Sequence, residues 1–427
     1  MEGFVQVISR EMLKPSSQTP PHPSKLKLSY IDRMFNDLYI PLIFFYKADE
    51  SRGLTTSNHL QISQRLKQSI SNILPSFHPL AGRLKSSLSV DCNDAGAEFI
   101  EARARAHLMD SLYMDDQLKH YFPSEYNTFN HGKQARPLLV VQITFFDCGG
   151  LAVAVALSHV VADLSSAMAF LNAWAAAFRG EVEISHRSFG TSAYFPPLRL
   201  IPFSRFQRLF VSNENLMTKR FVFNKEKLDT LRQAATTPSE SAIKDPSRVE
   251  LVSAFIWKHF TEGKLKKSKT KKMYAALHAV NVRPRTNPPN LLENVFGNCF
   301  MLAMAFACIK DLRLHGLIGK LRSSIRKVRG DYITKALNKE SFMKDLFKLG
   351  FLLVMGRLEW CFFTSWRGFP TYDLDYGWGK PVWFTTSSVP SKNLIIFFNG
   401  KSGDDIEAIV TMKPDDLKIL DAQINLI

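Results

Sequence analysis

The sequence predicts an α/β protein of two domains. Strand-like and helix-like hydrophobic patterns alternate along the chain, nothing repeats at a fixed period, and one long aperiodic connection near Arg179 to Asn213 divides it. The 427 residues are several times the ~100–150 of a common domain. With 45% hydrophobic and 22% charged residues, the composition is that of an ordinary globular chain. On these patterns the first lobe covers residues 1–180, the crossover loop 181–215 and the second lobe 216–427.

The elements follow in order. Residues 59–74 set Leu66, Ile70, Ile73 and Leu74 on one helical face, and Pro75 ends the helix. Residues 88–100 read as a hairpin whose turn is supplied by Asn93 to Gly96. Two strands come next, 137–146 and 151–157, joined by Asp147-Cys-Gly-Gly150. Gly180, Gly190, Pro196, Pro197 and Pro202 break any period in the long connection, which is too long for a loop within one compact domain. Beyond it the pattern gives a strand over 219–223, helices over 225–235 and 249–260, and a strand over 273–282.

Composition also excludes several function classes. The longest apolar runs, 150–157 and 299–308, fall short of the ~18 residues of a membrane-spanning helix. Met1 to Pro15 carry Glu2, Arg10 and Glu11 around a short apolar stretch, which is not a secretory signal. Five scattered cysteines without a CxxC pair predict reduced thiols in a cytoplasmic protein and no metal site. Lys+Arg 55 against Asp+Glu 39 leaves +16, a field that favours anionic ligands. Six lysines fall in the ten residues from Gly263 to Lys272 and read as a solvated loop, with phosphate contact or nuclear targeting as alternatives. No finger, basic zipper or interleaved basic-aromatic pattern supports nucleic-acid binding.

One stretch carries chemistry. Leu151-Ala-Val-Ala-Val-Ala-Leu-Ser-His159-Val-Val-Ala-Asp163 runs an apolar strand straight into a histidine. Phe170, Leu171, Trp174 and Phe178 then mark one face of a helix for which Asp163 is a candidate N-cap. His159 therefore occupies a strand-to-helix connection, and with an ordinary pKa of ~6.5 it can take and return a proton near neutrality. A His-x-x-x-Asp spacing alone is weak evidence in a chain holding 11 histidines.

Its company is more specific. Asp375-Tyr-Gly-Trp-Gly379 precedes Lys380-Pro381, and Asn281-Val-Arg-Pro-Arg285 precedes Pro288-Pro289 and Phe296-Gly-Asn298. With Pro79-Leu-Ala-Gly-Arg83, Val90-Asp-Cys-Asn-Asp94 and Ser402-Gly-Asp404, these strings resemble the plant BAHD family of acyl-CoA-dependent acyltransferases over essentially the whole chain. The opening segment, Phe363-Thr-Ser-Trp366 and Tyr372-Asp-Leu-Asp375 look most like its branch of alkaloid O-acetyltransferases.

The resemblance implies two chloramphenicol-acetyltransferase-like domains, each a mixed β-sheet with flanking helices, with the catalytic histidine between them and the segment around 360–400 a candidate to pack with the first lobe. It implies transfer of an acyl group, acetyl first and malonyl as the rival, from CoA to a hydroxyl of a plant specialised metabolite such as a monoterpene indole alkaloid. A relative that binds ligand without turnover is the alternative. Acyl-CoA would be a co-substrate, no cofactor would be held permanently, and the protein would work as a monomer.

By the same resemblance His159 is the general base and Asp163 shapes its loop, although the spacing equally permits an Asp–His dyad. Asp375, Gly377, Trp378 and Gly379 form a structural motif whose aspartate pairs with Arg283 or Arg285, Arg283 preferred. Thr364, Ser365, Trp366 or a backbone amide near His159 are candidates for the oxyanion donor, and Ser247, Arg248 and Lys258 for CoA contact. The chain departs from the family pattern at Tyr376 (usually Phe), His78 (commonly Tyr), Asp405 (usually Gly) and Ile409 (usually Trp).

Overall fold

The computed structural model describes residues 5–19, 24–35, 38–86, 88–112, 115–127, 136–181, 187–197, 214–236, 244–267, 272–308, 311–337, 341–400 and 403–427. Most of the expected crossover, 182–186 and 198–213, lies outside them, as do Ser402 and residues 268–271 of the lysine run. The chain divides into two compact units, each with its own mixed sheet. The first comprises Met1–Phe203, Asn294–Asn298 and Phe369–Val389, and the second Ser204–Glu293, Cys299–Gly368 and Pro390–Ile427.

The sheet of the first unit has six strands in the order Val5–Leu13, Ala97–Ala104, Leu139–Phe146, Leu151–Ser158, Tyr39–Tyr46, Trp383–Thr385. All neighbours are antiparallel except Ala97–Ala104 beside Leu139–Phe146. Every residue of the Leu151–Ser158 strand is buried, as an inner strand covered on both faces requires. Its alanines, Ala152, Ala154 and Ala156, share one face and leave room for the bulk of Phe45, Tyr121, Phe146 and Trp383. Phe45 stacks on Trp383 with ring centroids 5.1 Å apart. The tight turn Asp147–Gly150 joins this strand to its antiparallel neighbour.

The expected hairpin over 88–100 does not form. Ser89–Asp91 pairs with Lys25–Lys27 and Arg83–Ser86 in a small separate sheet, whereas Ala97–Ala104 pairs with Val5–Leu13 and Leu139–Phe146. Between them Asp94 and Gly96 take positive φ, so the chain leaves one sheet for the other and does not fold back on itself. A Cβ on Gly96 would stand 2.5 Å from the Leu13 carbonyl oxygen, which shows how closely the opening strand approaches.

In the second unit the order is Met217–Phe223, Ile406–Met412, Leu394–Asn399, Leu358–Ser365, Met273–Asn281, Phe300–Ala307. The helices Lys225–Ala235, Arg248–Lys267, Leu314–Lys327 and Pro414–Ile424 send Leu231, Leu251, Trp257, Leu321 and Leu417 into one core with Phe363 and Phe397. The second of these helices outruns its expected end at Phe260, so Lys264, Lys266 and Lys267 belong to its last turns and not to a loop. Asp416 explains the extension: Lys264 bonds its carboxylate at 2.5 Å, and Lys267 lies 3.4 Å from it at the favourable C-terminal end of the helix dipole.

Candidate active site

The fold first explains why His159 lies at the end of a strand. Ser158 is the last strand residue, the His159 amide donates to the Leu38 carbonyl at 2.8 Å, and a turn carries the chain to Asp163. Asp163 caps the helix Leu164–Arg179, its Oδ1 accepting from the Ser166 amide at 3.0 Å. That satisfies one of the amides every helix leaves open at its start. Trp174 of this helix donates to Ser69 Oγ at 3.0 Å, anchoring the helix to its neighbour His59–Ile73.

Ser166 has a second task. Its hydroxyl accepts from the Gly297 amide at 2.9 Å and donates to the Gly297 carbonyl at 3.0 Å, clamping one peptide segment against the helix. Gly297 has φ +141, and a Cβ there would come within 2.3 Å of Thr191 Cγ2, so only glycine fits. The clamp delivers the next residue, Asn298, to His159.

Asn298 fixes the protonation pattern of the imidazole. Its Nδ2 donates to the His159 carbonyl at 2.7 Å and to Asp32 Oδ1 at 2.8 Å. A backbone carbonyl can only accept, so the amide cannot be turned the other way. Its Oδ1 therefore faces His159 Nδ1 at 3.0 Å, and Nδ1 must carry the hydrogen and donate it. In a neutral ring the lone pair then resides on Nε2, the state a general base needs. Burial pushes the His159 pKa below its ordinary value and keeps the ring neutral, while its own carbonyl, the Asp163 charge and Asn298 pull partly the other way.

The glycine motif forms a self-contained turn in the same unit. Asp375 Oδ1 accepts from the amides of Gly377 at 2.7 Å and Gly379 at 2.9 Å, both at positive φ, and Arg179 donates to the Asp375 carbonyl. Tyr376 and Trp378 stack on each other at 5.1 Å and pack against Tyr46 and Phe178. The Tyr376 hydroxyl and the Trp378 indole N–H are buried with no hydrogen-bond partner among the described residues.

The remaining candidates belong to the second unit. Thr364 and Ser365 end the strand Leu358–Ser365 with side chains half-buried, and Trp366 is buried against Phe398. Ser247 and Glu250 form a reciprocal capping box at the start of the Arg248–Lys267 helix, the Ser247 amide to Glu250 Oε2 at 2.8 Å and the Glu250 amide to Ser247 Oγ at 3.2 Å. Lys258 lies 3.6 Å from Glu262 one turn on, and Arg248 donates to the Gly403 carbonyl at 2.6 Å. Arg283 is buried, and Arg285 donates to the carbonyls of Ile325 and Val328.

Sequence reasoning quoted Asn298 only as part of a string and passed over Asp32, Ser166 and Thr191. The signal available for Ser166 was its place three residues beyond the N-cap, and for Asp32 the Ser29-x-x-Asp32 spacing of a capped turn.

The model of the Transferase family matches residues 4–426. Vinorine synthase of Rauvolfia serpentina is 38% identical over 99% of this chain and 98% of its own length. Stemmadenine O-acetyltransferase of Catharanthus roseus is 36% identical over 98% and 97%. The crystal structure of vinorine synthase superposes with a TM-score of 0.81 over 99% of this chain and 98% of that one. TRI101 of F. graminearum, crystallised with coenzyme A and T-2 mycotoxin, shares the fold at 17% identity, with a TM-score of 0.69 over 94% of this chain and 97% of that one. The chain belongs to the Transferase family, that of the BAHD acyltransferases.

Proposed function

We propose that this acyltransferase moves an acetyl group from acetyl-CoA to a hydroxyl of a monoterpene indole alkaloid, with His159 as the general base. The observation that carries the chemistry is the Nδ1–H bond to Asn298, which leaves the lone pair on Nε2. Nε2 takes the proton of the acceptor hydroxyl as its oxygen attacks the thioester carbonyl carbon. The tetrahedral adduct collapses, the C–S bond breaks, and the departing thiolate of CoA recovers the proton from the imidazolium. Asp163 then serves as the N-cap that sets the loop, and Asp375 as the acceptor that closes the glycine turn.

The acetyl donor and alkaloid acceptor are carried over from the names of relatives 36–38% identical over nearly the full chain. Five unbridged cysteines support a reducing cytoplasm as the place of work, and the monomeric state is carried over from the family resemblance alone. Incubation with acetyl-CoA or malonyl-CoA and a panel of indole alkaloid alcohols, read by free CoA and by product mass, should give an acetylated alkaloid. A malonylated product would replace the donor, and acylation of other alcohol classes alone would replace the acceptor. His159→Ala should lower turnover at least ~100-fold with an unchanged circular dichroism spectrum. Normal CoA release by that variant would remove His159 from the base role.

A further inference from the structure

Asp32 is a buried carboxylate, 2% exposed, in the turn Asp32–Phe35 that follows Ser29. Its Oδ1 accepts from Asn298 Nδ2 at 2.8 Å and from the Asn298 amide at 3.4 Å. Its Oδ2 accepts from the Ser29 amide at 2.8 Å and the Thr191 hydroxyl at 2.7 Å. Burial pushes the Asp32 pKa up, the four donors pull it back toward the ionised form, and no cation pairs with it among the described residues. A carboxylate that is buried without a counter-ion costs folding free energy. The four hydrogen bonds explain why an acceptor stands here, and the charge, held without a counter-ion, has a further role.

We propose that Asp32 is a positioning residue of the acyl transfer, acting on His159 through Asn298. It holds the Asn298 amide with Nδ2 inward, which aims Oδ1 at His159 Nδ1 and keeps Nε2 the basic nitrogen. Its charge also polarises that amide, so the bond to Nδ1–H strengthens as the ring becomes cationic in the transition state. Two carboxylates thus bear on His159: Asp163 from its own loop, and Asp32 through a single intervening side chain.

This rests on His159 as the base, and the experiment separates the two. Asp32→Asn keeps the size, removes the charge and turns one acceptor oxygen into a donor. It should lower kcat about 10–100-fold, by analogy with the loss of the hydrogen-bond partner behind a metal-ligating histidine, with KM for acyl-CoA little changed. The acidic limb of its pH–rate profile should shift to lower pH, because the cationic ring has lost stabilisation. In an Asn298→Ala background the same substitution should cost little more, since the path is already cut. Should Asp32→Asn fail to fold, Asn298→Ala alone must reproduce the fall in kcat and the shifted limb. A wild-type kcat and limb in Asp32→Asn, or full additivity with Asn298→Ala, overturns the role of Asp32 while a dead His159→Ala leaves the base standing. A fully active His159→Ala overturns both.

Discussion

The imidazole of His159 is an ordinary weak base whose behaviour is set by burial and, against it, by its own carbonyl, Asp163, Asn298 and the Ala162 backbone. Only the neutral ring accepts a proton, so kcat/KM should rise with pH through the His159 pKa and level off above it. Because burial dominates and lowers that pKa, the midpoint of the rise should fall below ~6.5, the value of a solvated histidine. A profile between about pH 4.5 and 8 checks this, and a midpoint above 7 would mean that the charged ring is favoured by something other than these contacts. Tyr376 offers a stability test. Its buried hydroxyl has no hydrogen-bond partner among the described residues, a state that costs about 1–3 kcal/mol, so Tyr376→Phe should raise Tm by about 1–3 °C. In the sequence His159 stood out through the company of its motif, the Asp375 glycine string and the Asn281 stretch, and not through its own spacing. Asn298 and Asp32 did not stand out, since their bonds to this neighbourhood bridge 139 and 266 residues of sequence, and no local pattern reports such pairings.

Helices and turns hold the site through their ends. Asp163 caps one helix and thereby places Ser166, Ser166 clamps Gly297, and Gly297 delivers Asn298. Gly297→Ala should therefore damage activity out of proportion to its size. The new methyl would meet Thr191 at 2.3 Å and force the peptide away from Ser166. The readout is kcat on protein that still melts cooperatively, and wild-type kcat would show that the clamp does not set Asn298. The glycine turn of Asp375 is different in kind, since its bonds run to its own amides. Asp375→Ala should cost about 1–2 kcal/mol of stability, because the part-buried Gly379 amide loses its acceptor while the exposed Gly377 amide turns to water, with kcat per folded molecule largely retained. Wild-type melting with lost activity would instead make Asp375 a participant. At this scale the sequence reported what depends on local periodicity: the helix Lys225–Ala235 and the antiparallel pair around Asp147–Gly150. It misread residues 88–100, where two strand-like stretches flank a turn but choose partners elsewhere, and it stopped the Arg248–Lys267 helix early because ion pairs with a distant Asp416 are invisible to pattern.

The chain's path through its two units makes each depend on distant sequence. The first unit takes Asn294–Asn298 and Phe369–Val389 from the later part of the chain. The second of these supplies the strand Trp383–Thr385, which covers the free side of the wholly buried Tyr39–Tyr46 strand. Without it Phe44 loses its stacking partner Phe384 and Phe45 loses Trp383, and an apolar strand of Ile, Leu and Phe becomes an open sheet edge. Open, flat, hydrophobic edges recruit other chains. The other later segment, Asn294–Asn298, contains Asn298, so without it the His159 ring loses the acceptor on Nδ1. A fragment ending at Phe203 should accordingly be produced as aggregate, and any soluble fraction should release no CoA. Mixing it with the remainder of the chain during refolding should restore activity only if the Phe369–Val389 segment is present. A fragment of residues 1–203 that is monodisperse by light scattering and melts cooperatively would show that the first sheet closes without its sixth strand, and the division of labour along the chain would have to be redrawn.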